Sequence, residues 1–337
     1  MLPHLIHAAG KLRGGSTPEK IPDAYEDLSD VDTFEFSASD GAHLFCYRWH
    51  PPGPPRAAIH IAHGMGEHAR RYERLGERLA ADGYLVVADD HRGHGETAPP
   101  ERLGDIGTDG WNRMIEDMAE INGHLGKLAP GVPRVLLGHS MGSMLSQQYV
   151  YRHGNTLDAL VLSGSPGIGG GFALWVSHNL ARIERWRLGE GEHSALLDRM
   201  IFGSANDPFE GPTGFEWLSR DVAEVAKYVA DPKCGFVLRT GGLCNLFAGS
   251  REARSSRRLR QIPKALPVFV LSGADDPVHG EGKGIERLLA AYDKAGLERV
   301  VKRLYPGGRH EMFNETNRDE VVQDLVDWLD ETLPAST

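Results

Sequence analysis

The spacing of hydrophobic residues changes along this chain, and each spacing predicts a different kind of secondary structure. Near the start, residues 33–37 and 43–49 alternate apolar and polar side chains around the turn Ser39-Asp40-Gly41, which is typical of a β-hairpin. Later segments are short and nearly continuous apolar runs, as expected of strands buried on both faces of a sheet. These runs are residues 57–62, 84–88, 134–137, 157–162 and 266–271, and a last strand is predicted at 299–305.

Helical patterns lie between most of these strands. Apolar residues recur with helical spacing over 69–82, 109–128 and 140–153, and a final helix is predicted over 318–333. The alternation of strands and helices predicts an α/β fold, with a mainly parallel sheet of about eight strands and helices on both faces. Because the first two predicted strands form a hairpin, the sheet is expected to begin with antiparallel strands.

One connection between predicted strands is far longer than the others. Between Gly164 and Leu266 lie about 100 residues, whereas links between strands and helices usually have about 2 to 6 residues. We therefore predict a helical cap at 166–265, inserted over one end of a core formed by 31–165 and 266–337. Residues 1–30 are rich in Pro, Gly, Ser and charge and are interpreted as an N-terminal arm on the surface. Helices are predicted in the cap at 172–187, 194–202, 214–230 and 235–250.

Large aromatic residues are concentrated in this predicted cap. It contains three of the six tryptophans and six of the eleven phenylalanines of the chain. Part of this set is expected to fill the cap's own small core. The remainder predicts an apolar surface that faces a binding site.

Composition excludes several other classes of protein. The chain has 337 residues, of which 40% are hydrophobic and 25% charged, as in ordinary globular proteins. No apolar run approaches the ~18 residues of a membrane span. A net charge of −10 argues against nucleic acid as the main partner.

The remaining compositional signals are weak. The first residues lack a basic segment followed by an apolar core, so we expect no signal peptide and a cytoplasmic location. Three cysteines, Cys46, Cys234 and Cys244, are too few and too scattered for a disulfide framework. The basic cluster at 251–260 is interpreted as a solvated helix face rather than a patch for phosphate or anionic lipid.

The most informative motif is Gly138-His139-Ser140-Met141-Gly142, between a predicted strand and a predicted helix. This G-x-S-x-G pattern is typical of a nucleophile elbow, a sharp turn that exposes a serine hydroxyl. Gly138 and Gly142 leave room for the turn, because a Cβ atom on either side would obstruct it. Ser140 is therefore the candidate nucleophile.

A serine hydroxyl needs a base, and the base needs a third group to orient it. After the strand at 266–271 come Asp275 and Asp276, and after the last strand comes His310 on a loop with turn glycines. Both positions follow the carboxyl ends of strands, where α/β sheets place their sites. We predict His310 as general base and Asp276, rather than Asp275, as its orienting carboxylate.

Acyl transfer also needs two backbone N–H groups that stabilise the tetrahedral oxyanion. The N–H of Met141, directly after the nucleophile, is one candidate. The other is the N–H of Met65 in His63-Gly64-Met65-Gly66-Glu67-His68, which follows the first parallel strand. We expect His63, His68 and the similarly placed His91 and His94 to bond neighbouring turns and predict no metal site, because no third ligand has suitable spacing.

Together these motifs resemble the monoacylglycerol lipase and lysophospholipase branch of the α/β-hydrolase fold. The resemblance spans about residues 33–332 and is weakest in the predicted cap. The motifs that carry it are His63–His68, Asp90-His91-Arg92-Gly93-His94-Gly95, Gly138–Gly142, Gly273-Ala274-Asp275-Asp276-Pro277-Val278 and Pro306-Gly307-Gly308-Arg309-His310-Glu311.

The resemblance implies a serine esterase acting on a single-chain acyl ester, either a monoacylglycerol or a lysophospholipid. It implies an acyl-enzyme at Ser140 that is released by a water activated by His310, with no metal or organic cofactor. Lids in this branch are typically amphipathic, which implies transient contact of the cap with membranes or micelles.

Two other functions are compatible with the same motifs. A prolyl aminopeptidase-like enzyme could use the same triad, with an acidic residue of the cap (Glu190, Glu192, Glu210 or Glu224) to bind the substrate's amine. A small-ligand receptor could retain the triad with slow turnover or none. Hydrolysis of acyl esters at ordinary rates would separate an esterase from both alternatives.

Overall fold

The computed structural model describes residues 31–334, and the predicted N-terminal arm lies outside them. One sheet of eight strands runs through this part of the chain in the order β1-β2-β4-β3-β5-β6-β7-β8. β2 is antiparallel to both β1 and β4, and the strands from β4 through β3 to β8 are parallel. The strands are β1 (Val31–Ser37), β2 (His43–Trp49), β3 (Ala57–Ala62), β4 (Tyr84–Asp89), β5 (Arg134–His139), β6 (Ala159–Ser163), β7 (Val268–Gly273) and β8 (Val300–Tyr305).

Ten α-helices accompany the sheet within residues 31–334. Five of them, α4 to α8, lie in the connection between β6 and β7, and we call residues 166–265 the cap segment. The helices are α1 (Glu73–Ala81), α2 (Gly110–Leu128), α3 (Met141–His153), α4 (Gly171–Leu188), α5 (Ala195–Phe202), α6 (Val222–Ala230), α7 (Thr240–Glu252), α8 (Ser256–Leu259), α9 (Lys283–Ala295) and α10 (Arg318–Thr332).

The predicted helix at 214–230 is wrong as a single element. The chain forms a short 3-10 turn at Glu216–Leu218 and begins a new helix, α6, at Val222. Ser219 between them is extended, and its hydroxyl donates to the Asn314 carbonyl of the core. The Asp221 side chain then accepts the first N–H groups of α6, as an N-cap does. Contact with the core therefore overrides the helical pattern.

Successive residues of the central strands face opposite sides of the sheet, and both sides are buried. In β7, Val268 and Val270 belong to an apolar cluster with residues of α3 and α9. Phe269 and Leu271 belong to a second cluster with residues of α1 and α10. This two-sided burial explains the continuous apolar runs. The α/β-hydrolase fold class predicted from the sequence is confirmed.

Parallel strands bring several loops to one edge of the sheet. The ends of β3, β5, β7 and β8 lead into the loops that carry Met65, Ser140, Asp276 and His310. The cap segment is tied to the core through α7, whose Leu243, Leu246 and Phe247 share the first apolar cluster. Among residues 31–334, no helix combines the length and apolar character needed to cross a bilayer.

Candidate active site

Ser140 lies in a strained turn between β5 and α3. Its φ is +51° and its ψ −114°, a region that residues other than glycine rarely adopt and that often marks functional sites. The flanking glycines are required by close packing. A Cβ on Gly142 would lie 2.0 Å from the Ala62 carbonyl oxygen, and one on Gly138 would lie 2.5 Å from that of Gly142. No larger residue fits at either position without movement of the backbone.

His310 and Asp276 form a buried pair on the neighbouring loops. His310 Nδ1 lies 2.9 Å from Asp276 Oδ2. The same carboxylate accepts the Ser272 hydroxyl at 2.9 Å and the Val278 N–H at 2.9 Å. Asp275 is exposed, and its backbone N–H donates to the Gly308 carbonyl. The structure therefore brings Asp276, and not Asp275, to the imidazole of His310.

The two charges of this pair stabilise each other. Burial would raise the pKa of Asp276, but the charge and hydrogen bond of His310 outweigh burial and lower it. Burial would likewise lower the pKa of His310, but Asp276, helped by Glu311 and Glu67, raises it above its usual value. This is the electrostatic arrangement that an acid–base histidine needs, because it stabilises the imidazolium that forms during the reaction.

A second imidazole beside the pair stays neutral. The rings of His139 and His310 are 4.8 Å apart between centroids. Burial, and then the charge of His310, lower the pKa of His139 to about 4. The ring of Trp217, in the cap segment, packs against the ring of His310, with 4.9 Å between the ring centroids. His310 is therefore the more basic of the two histidines that line the pocket around Ser140.

The loop at residues 63–68, which we call the oxyanion loop, packs directly against Ser140. A Cβ on Gly64 would lie 3.2 Å from Ser140 Cβ. The Gly64 N–H donates to Glu67 Oε1 at 2.6 Å, and the Gly64 carbonyl lies 2.7 Å from His63 Nδ1. Met65 then lies beside Ser140 and Met141 in the wall of one cavity. The roles of the Met65 and Met141 N–H groups stay predictions.

His63 holds the carbonyl of the peptide group whose N–H belongs to Met65. Its Nε2 accepts the His91 N–H at 3.0 Å, so the ring proton is on Nδ1 and faces the Gly64 carbonyl. Burial, followed by the charges of His91 and His94, lowers the pKa of His63 well below its usual value. His63 is thus a neutral donor, and it bonds a neighbouring turn as the sequence predicts.

Sequence reasoning missed a buried ionic network next to these loops. Arg71 donates to Glu67 at 2.7 Å and, through both terminal nitrogens, to Glu311 at 2.7 Å. Tyr72 also donates to Glu67 at 2.8 Å. The spacing of Glu67 and Arg71, four residues apart, is a local signal for an ion pair. Glu311 is 240 residues further along the chain, so only the fold could reveal its place.

One group of side chains has the composition of a metal site. Potential ligand atoms of His68, Asp231 and Cys234 all lie within 4.8 Å of one another. His68 and Asp231 already share a hydrogen bond of 2.8 Å. The positive charge of Arg71 acts on Cys234 and opposes a bound cation. Two members lie in the cap segment, far from His68 in sequence, so ligand spacing did not indicate this group.

Two pockets of different character meet at Ser140. The smaller, of about 30 Å³, has a mixed lining in which Glu67, Glu311 and His310 lie beside Trp217 and other aromatic side chains. The larger, of about 420 Å³, runs between the core and the cap segment. Its apolar wall includes Met144, Ile168, Leu174, Leu246 and Phe247. The arrangement suits a substrate with a small group and a long apolar group on either side of the reacting carbonyl.

Comparisons with known proteins show the family to which the chain belongs. A family profile described as serine aminopeptidase, S33, matches residues 53–317. Monoacylglycerol lipase of Mycolicibacterium smegmatis is 30% identical over 298 residues, which cover 87% of this chain and 95% of the relative. Monoglyceride lipase of Homo sapiens is 30% identical over 300 residues, which cover 89% of this chain and 88% of the relative.

A solved structure is similar over almost the same range. The carboxyl esterase from Bacillus coagulans, crystallised in complex with glycerol, has a TM-score of 0.81 and 27% identity, covering 90% of this chain and 99% of that one. The resemblance drawn from the sequence motifs is thereby confirmed for the monoacylglycerol lipase branch. The chain belongs to the serine aminopeptidase S33 family of the α/β-hydrolase fold, within the branch that includes the monoacylglycerol lipases.

Proposed function

We propose that this protein is a serine esterase that hydrolyses single-chain acyl esters, with monoacylglycerols as the preferred class. The observation that carries the proposal is the meeting of a small pocket of mixed polarity and a much larger, mainly apolar cavity at Ser140. In this proposal the cavity takes one acyl chain, and the small pocket takes the hydroxyl-bearing end of a compact alcohol. The relatives that are named as monoacylglycerol and monoglyceride lipases support the same substrate class.

In the proposed mechanism, Ser140 Oγ attacks the ester carbonyl while His310 Nε2 takes the hydroxyl proton. The N–H groups of Met65 and Met141 stabilise the oxyanion, and such donors contribute about 3 kcal/mol each. The C–O bond to the alcohol then breaks, His310 returns the proton to the leaving oxygen, and the acyl group remains on Ser140. A water activated by His310 releases the fatty acid and restores the serine. Asp276 keeps the imidazole oriented throughout.

The charge of the small pocket favours glycerol over a phosphate-bearing head group. Glu67 and Glu311 line it, and Arg71 is the cation paired with both. The excess of negative charge repels a phosphodiester, whereas neutral hydroxyls can bond the pocket's polar groups. Lysophospholipid is therefore the weaker substrate of the two that the resemblance implies.

The four cap glutamates expected to bind an amine in the aminopeptidase alternative do not lie at Ser140. Glu190, Glu192 and Glu210 are exposed, and Glu224 pairs with Arg74 and Lys227. None of these four lines either pocket at Ser140. The two glutamates that do line the small pocket already accept hydrogen bonds from Arg71. This distribution favours an ester over a peptide that must present a free amine.

We further propose that the cap segment, as a unit inserted into the core, contacts membranes or micelles during substrate uptake. Phe172 and Trp186 on α4 are 79% and 86% exposed, and Trp175 between them is 52% exposed. Aromatic side chains on an exposed helix face are typical of interfacial contact. The cytoplasmic location expected from the sequence stays a prediction.

The proposal is tested by initial rates on p-nitrophenyl esters from acetate to palmitate, beside monooleoylglycerol, lysophosphatidylcholine and aminoacyl-naphthylamides. Ser140→Ala serves as the blank. We expect a preference for longer chains, turnover of monooleoylglycerol above lysophosphatidylcholine, and no cleavage of the amides. Amide cleavage without ester cleavage would support the aminopeptidase, and turnover below about 0.01 per second on every ester would support a receptor.

A further inference from the structure

We propose that the cap segment positions the oxyanion loop, and that Tyr228 is the positioning residue through which it does so. The inference rests on the proposed esterase function, since it concerns the N–H of Met65. It assigns to the cap a task beyond covering the substrate: completing the geometry that stabilises the transition state.

Two donors from the cap segment converge on one carbonyl of the oxyanion loop. The Tyr228 hydroxyl donates to the Gly66 carbonyl at 2.9 Å, and the Gly235 N–H donates to the same oxygen at 3.0 Å. Tyr228 is buried, so its hydroxyl bonds the loop in place of water. A carbonyl with two donors is held in both position and direction.

The backbone of the loop is shaped to receive the cap. Gly66 has a φ of +69°, and a Cβ there would lie 2.3 Å from the Phe236 carbonyl oxygen. At the end of the loop, His68 is hydrogen-bonded to Asp231 at 2.8 Å. Residues 228–236 thus contact the loop at two separate points, and glycine at position 66 permits the closest approach.

Met65 lies between two glycines, one held by the core and the other by the cap segment. The core holds Gly64 through Glu67 and His63, and the cap segment holds Gly66 through Tyr228 and Gly235. If the cap contacts are lost, the peptide group of the Met65 N–H is held from one side only, by His63 at the Gly64 carbonyl. The flexible glycines on both sides then let this group tilt. The Met65 N–H then points away from the oxyanion for part of the time. Cap displacement and loss of transition-state stabilisation are therefore coupled.

Tyr228 also lines the small pocket, so a direct contact with the substrate's alcohol is the competing explanation. The two explanations differ in which substrates are affected. Positioning of the oxyanion donor matters for every ester, whatever its leaving group. A contact with glycerol hydroxyls matters only for glycerides and is expected to change KM.

The test compares wild type and Tyr228→Phe on p-nitrophenyl butyrate and on monooleoylglycerol. We expect kcat to fall about tenfold on both substrates, with KM within about twofold, because misplacing a catalytic donor by a fraction of an ångström costs about this much. Affinity for an alkyl trifluoromethyl ketone, which forms an oxyanion on the serine, is expected to fall by the same factor. Product inhibition by oleate is expected to stay unchanged.

Tyr84→Phe is the matched control, because it removes another buried tyrosine hydroxyl, one that donates to Asp330. An equal loss in Tyr84→Phe, a loss confined to monooleoylglycerol, or unchanged kcat in Tyr228→Phe would each overturn the proposal. Wild-type turnover against the Ser140→Ala blank tests the esterase function separately, so failure of one proposal is not mistaken for failure of the other.

Discussion

At the scale of single residues, the adjacent carboxylates Asp275 and Asp276 differ in burial. Asp276 is 2% exposed and bonded to His310, whereas Asp275 faces solvent. We predict that Asp276→Asn lowers kcat by about 10³-fold or more, because the imidazolium loses its counter-charge and its tautomer is no longer fixed. Asp275→Asn is the matched control and is expected to stay within twofold of wild type on p-nitrophenyl butyrate. Equal losses in the two variants would contradict our assignment.

The pH dependence of activity follows from the shifted pKa of His310. A general base must be neutral, and Asp276 raises the pKa of His310 above 6.5. We expect kcat/KM for p-nitrophenyl butyrate to rise with pH and to reach half its maximum above pH 6.5, since this profile reports the free enzyme. In Asp276→Asn, the residual activity is expected to reach half its maximum at lower pH. A midpoint that stays in place would show that another group titrates.

The same pair makes opposite contributions to stability and activity. Because the folded-state pKa of His310 is raised, its protonated form stabilises the fold fully below the unfolded-state value and loses this effect as pH rises through the folded value. Because the pKa of Asp276 is lowered, its ionised form stabilises the fold fully above the unfolded-state pKa. This stabilisation is lost as pH falls through the folded-state pKa. The site therefore gains activity over the pH range in which His310 loses its proton and the ion pair with Asp276 is lost.

At the scale of elements, α4 is the helix of the cap segment with the most exposed aromatic surface. We predict that the double variant Phe172→Ser/Trp186→Ser lowers the fraction bound to phosphatidylcholine vesicles and raises the KM for monooleoylglycerol in vesicles about tenfold. The physical reason is the loss of apolar area that can enter the lipid interface. Sedimentation with vesicles and initial rates provide the measurements.

Activity on dissolved p-nitrophenyl butyrate is the internal control for this variant, since it requires no interface. Val301→Ser, at a half-exposed position of β8, controls for the loss of an exposed apolar side chain elsewhere. Vesicle binding that is equal in wild type and the double variant would exclude α4 as the contact surface.

At the scale of the whole molecule, the larger cavity at Ser140 exists only because the core and the cap segment face each other. Ala253, directly after α7, is nearly buried in its wall. We predict that Ala253→Phe shifts chain-length preference, with the ratio of palmitate to butyrate hydrolysis falling about tenfold, because the added ring occupies space required by longer chains. The measurement is the series of p-nitrophenyl esters.

The control for the cavity is Ala223→Phe, which places the same ring at an exposed position on α6. Its chain-length profile is expected to match that of wild type. An unchanged ratio in Ala253→Phe, with an intact fold by circular dichroism, would mean that the acyl chain occupies another space.

Local sequence patterns were sufficient to predict several strands and the candidate catalytic residues. The strands at 57–62 and 84–88 were predicted within one residue of their observed bounds. Strands buried on both faces of a sheet have uninterrupted apolar runs, and such runs can be recognised from the sequence alone. Ser140 was indicated by the glycines that its turn requires. His310 and Asp276 were chosen by their places after strands, and the structure brings them together.

Other features were decided by tertiary structure alone. The break before α6 depends on a hydrogen bond from Ser219 to Asn314, and the ionic network depends on Glu311 meeting Arg71. The hydrogen bond from Tyr228 to the Gly66 carbonyl joins residues that are 162 positions apart. The sequence by itself determined the α/β architecture and the candidate nucleophile, base and acid, since these depend on local patterns and chain order. Only the folded chain could decide which distant side chains share a pocket, because that depends on how the cap segment packs against the sheet.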